Sequence, residues 1–98
     1  MEKVYCLLDN KSKVYQIPFY ASSEGHAKFG CTRFLLSDDG KHIHPVDFDL
    51  FYLGDYDQTN GKFSLLDVPE HILNLGNISL QEDEEKLSVT VEKKQKDN

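Results

Sequence analysis

Positive charge is scarce in this chain: 11 Lys and Arg stand against 17 Asp and Glu, for a formal net charge of −6. That balance excludes a protein that grips nucleic acid by bulk electrostatics, because phosphate binding rests on Lys and Arg. It leaves room for a small local basic patch. Cysteine is scarce as well. Cys6 and Cys31 are too few for a disulfide framework. Each falls within an apolar pattern, so both read as buried reduced thiols that pack as small hydrophobes. No apolar run approaches the length of about 20 residues that spans a bilayer. Met1-Glu2-Lys3 leads straight into a strand-like run with no signal-peptide core. The expectation is a soluble protein of a cytoplasm, with no membrane partner.

Catalytic signatures are missing too. There is no G-x-G-x-x-G, P-loop, H-E-x-x-H or nucleophile elbow. Ser22, Ser23 and Cys31 have no base at a telling spacing. Four histidines invite a metal, and His42 and His44 would point the same way on an extended segment. Zinc needs three or four ligands, and nothing makes His26 and His71 converge on that pair. Asp47, Asp49, Asp55 and Asp57 do not follow calcium-loop spacing. No enzyme, no catalytic residue, no metal and no cofactor is expected.

What is present is a folded-domain composition: 98 residues, 39% hydrophobic, with six Phe and five Tyr. Val4–Leu8 and Val14–Phe19 are strand-like runs joined by the polar turn Asp9-Asn10-Lys11-Ser12. In the second run Tyr15, Ile17 and Phe19 form the larger apolar set, expected to face the core, with Pro18 near a strand end or on an edge. Ser22 or Ser23 caps a helix with Glu24 in its first turn. Ala27, Cys31, Phe34 and Leu35 fall at i, i+4, i+7 and i+8, one helical face set against the sheet.

The densest signal lies in Phe48–Leu53, Gly54, Asp55-Tyr56-Asp57, Gln58-Thr59-Asn60-Gly61 and then Phe63. Asp57 can start a turn by bonding backbone two residues on, and Asn60-Gly61 supplies cheap positive φ. A second hairpin follows, with a loop of about four or five residues. Asp67 and Pro69 are expected to break its second strand, leaving His71-Ile72-Leu73 as an irregular turn or a last short strand.

The order is β-β-α-β-β: an α+β domain with an antiparallel sheet of about four strands and one helix across a face. It occupies residues 1–80. Residues 81–98 read as a charged, mostly solvated tail, with Leu87, Val89 and Val91 alternating in a way that could add a strand to an edge. One helix leaves part of the sheet uncovered, so a homodimer is expected.

Aromatic residues are the one hint of a binding surface. Rings on an open sheet can stack single-stranded bases, with basic neighbours for the phosphates. The candidates are Tyr15, Tyr20, Tyr52 and Tyr56, with Lys13, Arg33 and Lys62 as phosphate partners. The alternative is that these rings serve the core and the sheet.

Two segments resemble a known family. Pro18-Phe19-Tyr20-Ala21 with Glu24-Gly25-His26-Ala27 is similar to a P-F-x-A…(D/E)-G-x-A segment. His44–Gly54 with Asp55-Tyr56-Asp57 and Thr59-Asn60-Gly61 is similar to P-x-D-F-x-L-(Y/F)-x-(I/L)-G-x-(F/Y)-D-x-x-T-G. In this order and spacing they resemble the small nonstructural protein of gokushoviruses, which belong to the Microviridae, phages with single-stranded DNA genomes. The similarity covers about residues 3–66 and departs at Phe29-Gly30, where the family often has a basic residue and then an aromatic. The resemblance implies a non-virion protein of the infected bacterial cytoplasm. It implies a role in single-stranded DNA synthesis or genome packaging, through single-stranded DNA itself or through phage replication or capsid proteins or a host protein. It brings no functional residues with it.

Overall fold

The computed structural model describes residues 1–78. The expected tail, including Leu87–Val91, lies outside the described residues. The order is β1 (Glu2–Asp9), β2 (Val14–Tyr15), β3 (Phe19–Ala21), α1 (Glu24–Leu36), a 3-10 turn (Pro45–Asp47), β4 (Phe48–Asp57), β5 (Lys62–Asn74) and a second 3-10 turn (Leu75–Asn77). The strands make one antiparallel sheet in the order β2-β1-β4-β5, with β3 pairing β1 on the same side as β2. The α+β architecture with one helix is as expected from the sequence.

Local chemistry explains the ends of these elements. Ser23 is the cap of α1: its Oγ accepts the His26 N–H at 3.2 Å. Glu24 then pairs with Lys28 one turn on at 3.0 Å. In the second hairpin Asp57 Oδ1 accepts the Thr59 N–H at 2.9 Å, and Gly61 has φ 72°.

Residues directly opposed in an antiparallel ladder share a face. Tyr5 is opposite Phe19 and Tyr52, and Leu7 is opposite Leu50, which is opposite Leu73. This face meets the helix. Its fully buried members are Tyr5, Ala21 and Leu50, packed with Ala27, Cys31 and Leu35 of α1 and with Leu75. Burying an aliphatic side chain of this size contributes about 1.5–3 kcal/mol, so Leu50 and Leu35 anchor helix to sheet.

Three expectations are corrected. Ile17 does not face the core; it is 85% exposed. The strand is interrupted at Gln16–Pro18, between β2 and β3, so the alternation read across that run has no continuous ladder behind it. Phe34 is at the rim of the helix–sheet contact, 37% exposed, and Thr32 is buried instead. With Ile17, Phe19 and Phe48 it lines a groove of about 550 Å³. Finally, Asp67 and Pro69 do not end β5. The strand continues to Asn74 because the extra residues bulge out: β4 passes from Tyr52 to Gly54 while β5 passes from Glu70 to Leu65. Proline is tolerated there, since a bulge on an edge strand has no ladder bond to lose.

The helix-free face of the sheet as candidate binding surface

The opposite face carries no helix. Its rows follow from the register. Tyr15 is opposite Leu8, which is opposite Asp49. Cys6 is opposite Phe51, which is opposite His71. Tyr20 is opposite Val4, then Gly54, then Leu65. Glu2 is opposite Tyr56, which is opposite Phe63.

Six rings stand on this face in two groups. Phe51 meets Tyr15 edge-on at 5.5 Å and His71 edge-on at 5.4 Å. Tyr56 meets Tyr20 at 5.9 Å and Phe63 at 4.8 Å. These tilted and edge-on arrangements suit the ring quadrupoles. Beneath them Val4 and Cys6 are almost wholly buried, so the rings first serve as a cover for the sheet. They do not stop there: Tyr15, Tyr20 and Phe63 each keep about half their surface in solvent (48, 52 and 51%).

Of the four candidate tyrosines, Tyr15, Tyr20 and Tyr56 are thus brought to one surface. Tyr52 is on the helix side. Its hydroxyl donates to Asp55 Oδ1 at 2.6 Å, its ring lies 5.4 Å from Tyr5, and Lys3 Nζ sits over it at 5.2 Å. The Asp55 hydrogen bond, with burial and the Asp55 charge, pushes the Tyr52 phenol up to about 12. The three candidate cations are not gathered around the rings. Lys13 lies in the turn beside Tyr15. Arg33 is on α1, over Phe29 at 5.9 Å, across the sheet. Lys62 pairs with Asp57, one register step from Phe63 and so on the opposite face from it. Among the residues paired in the ladder, the acidic side chains on the ring face are Glu2 and Asp49.

Asp49 is held in place. It accepts from Asn10 Nδ2 at 2.5 Å, His71 Nε2 at 2.9 Å and Asn74 Nδ2 at 3.1 Å. Burial raises its carboxyl, and the three hydrogen bonds together outweigh that and hold it below the usual range. This tie fixes the His71 ring against Phe51. Phe63 and His71 are surface members that the sequence reading did not single out. Alternation could have found them only with the bulge at Leu53 known, since that residue shifts the parity of β4.

Among the described residues no group of His, Cys, Asp and Glu is arranged to hold a metal ion, and no helix is long and apolar enough to cross a membrane. Both cysteines are buried free thiols.

The profile of the family described as Phage ORF5 protein matches residues 2–78. The chain belongs to the phage ORF5 family. The match takes in every described strand, the helix and both hairpin turns, so the ring-bearing face lies wholly within the family domain. No curated protein and no solved structure matches the chain.

Proposed function

We propose that this phage ORF5 protein acts by binding, without catalysis, during single-stranded DNA genome synthesis or packaging, and that its helix-free sheet face takes single-stranded DNA by stacking bases on its rings. The observation that carries this reading is the pair of ring groups, Tyr15–Phe51–His71 and Tyr20–Tyr56–Phe63, on one open sheet face, with Tyr15, Tyr20 and Phe63 standing half in solvent. Each stacked base is worth about 1–3 kcal/mol and needs no sequence match. The motif resemblance supports a gokushovirus setting: action in the cytoplasm of the infected bacterium and absence from the virion.

Binding is weak in this reading, because Glu2 and Asp49 share the face with the rings while Arg33 and Lys62 do not. Fluorescence anisotropy of a labelled oligonucleotide at low salt tests it. Binding at tens of micromolar protein, lost as salt rises and weakened by Tyr20→Ala or Tyr15→Ala but not by Arg33→Ala, is the expected result. Absence of binding overturns it.

A second reading is favoured by the same carboxylates and by the net charge of −6. On it, the face docks a phage replication or capsid protein, or a host protein, and touches no DNA. Capture of such a partner from infected cells, abolished by Tyr20→Ala, with no oligonucleotide binding, would select it.

A further inference from the structure

The outer side of β5 has no strand beside it among the described residues. Its inner side pairs regularly with β4 from Lys62 to Leu65. Every residue from Lys62 to Val68 is exposed, among them Phe63 (51%), Leu65 (61%), Leu66 (41%) and Val68 (72%). Edge strands are ordinarily guarded by a charge or a proline within the strand. Here Lys62 and Asp67 only bracket the run Phe63-Ser64-Leu65-Leu66, and Pro69 comes after it. Four consecutive residues of an exposed edge, three of them large and apolar, are left unguarded.

We propose that a second copy of this chain pairs along this edge, β5 against β5, antiparallel, about a two-fold axis passing through Ser64. Such an axis keeps each side chain on its own face, so it must place some residue opposite itself. The side chains choose which one. Centring on Leu65 sets Asp67 against Phe63 of the second copy. Centring on Phe63 sets Leu65 against Gly61 in the turn and leaves Leu66 uncovered. Centring on Ser64 sets Phe63 against Leu65 of the second copy, twice, on the ring-bearing face. On the other face it sets Lys62 against Leu66, twice, where the lysine stem covers the leucine and the ammonium reaches water. No two like charges oppose each other. Aromatic–aliphatic cross-strand pairs of this kind contribute about 0.2–1 kcal/mol each beyond Ala–Ala.

The ring-bearing faces of both copies then lie on the same side of one continuous sheet. Leu65 and Phe63 of the second copy extend the Tyr20–Tyr56–Phe63 group across the axis. The lengthened platform rests on the stacking reading above; the dimer itself does not, and is tested without DNA.

Sedimentation of the full chain from micromolar to near-millimolar concentration should show a reversible monomer–dimer equilibrium. Leu65→Lys should leave a monomer with an unchanged circular-dichroism spectrum, since Leu65 makes its pairing through exposed surface. Ser64→Cys, oxidised, should give a covalent dimer, because directly opposed antiparallel residues lie about 4.5–5.5 Å apart at Cα, within disulfide reach. Lys62→Cys should not cross-link to itself, and buried Cys6 and Cys31 take no part. A monomer at every concentration overturns the proposal. So does a dimer that survives Leu65→Lys or that Ser64→Cys cannot trap. Loss of oligonucleotide binding with the dimer intact counts against the stacking reading alone.

Discussion

Lys13 and Gly61 occupy the same place in two copies of one turn. In each hairpin an aspartate ends the first strand, its side chain accepts the N–H two residues on, and its carbonyl accepts the N–H four residues on. For Asp9 the donors are Lys11 (3.0 Å) and Lys13 (2.7 Å); for Asp57 they are Thr59 (2.9 Å) and Gly61 (2.7 Å). The fourth residue must turn left-handed, and it does so with φ 64° at Lys13 and 72° at Gly61.

A lysine in that backbone is strained where a glycine is not, by about 1–2 kcal/mol. Lys13→Gly should therefore raise stability by up to about 1 kcal/mol after the added freedom of the unfolded chain is subtracted. Gly61→Val should lower it by more than about 1 kcal/mol. Urea unfolding of both variants checks this; a Gly61→Val protein as stable as the parent would refute the shared turn.

Gly54 should be the least replaceable residue of β4. It has φ 143°, and a Cβ there would come within 2.3 Å of the Ser64 carbonyl oxygen and 2.7 Å of Leu65 Cα. Those atoms are backbone and cannot move aside without parting β4 from β5. Backbone strain alone costs about 1–3 kcal/mol, so Gly54→Ala should lose at least that much in the same unfolding assay. Retention of full stability would mean that β5 is not seated here.

Tyr52 should ionise late. Its folded value of about 12 exceeds the ordinary value near 10. The stability it contributes is complete below about pH 10 and disappears as pH rises toward 12. Ultraviolet titration should show late ionisation that Tyr52→Phe removes and Asp55→Asn brings earlier, because the Asp55 carboxylate is the first cause of the shift. Tyr5 shifts the same way, chiefly through burial. A Tyr52→Phe protein with an unaltered alkaline limb would sink the assignment.

The two thiols should be silent in the native protein. Burial pushes Cys31 up to about 11 and raises Cys6 as well, and the thiolate is the reactive form. A chromogenic disulfide reagent at mildly alkaline pH should label neither until denaturant is added, then both. Rapid labelling of the folded chain would contradict the packing of Cys31 between α1 and the sheet.

The sequence by itself determined whatever rests on a few consecutive residues. Asp57 to Gly61 makes its turn from its own donors and acceptors, Ser23 caps α1 from three residues away, and Ala27, Cys31 and Leu35 fall on one face through the helical period alone. The tertiary structure decided what depends on pairing with distant chain. Ile17 looked like core because alternation was read through Gln16–Pro18, where β2 has ended and the pairing with β1 is interrupted before β3. Asp67 and Pro69 looked like a strand end because nothing local shows that β4 runs on past them on the inner side. The ring-bearing face turns on Leu53: one bulged residue moves Tyr56 to the side of Phe51 and leaves Tyr52 with the helix. In a structure of period two, a one-residue step exchanges the buried face for the open one, and that step is taken only when β1, β4 and β5 come together.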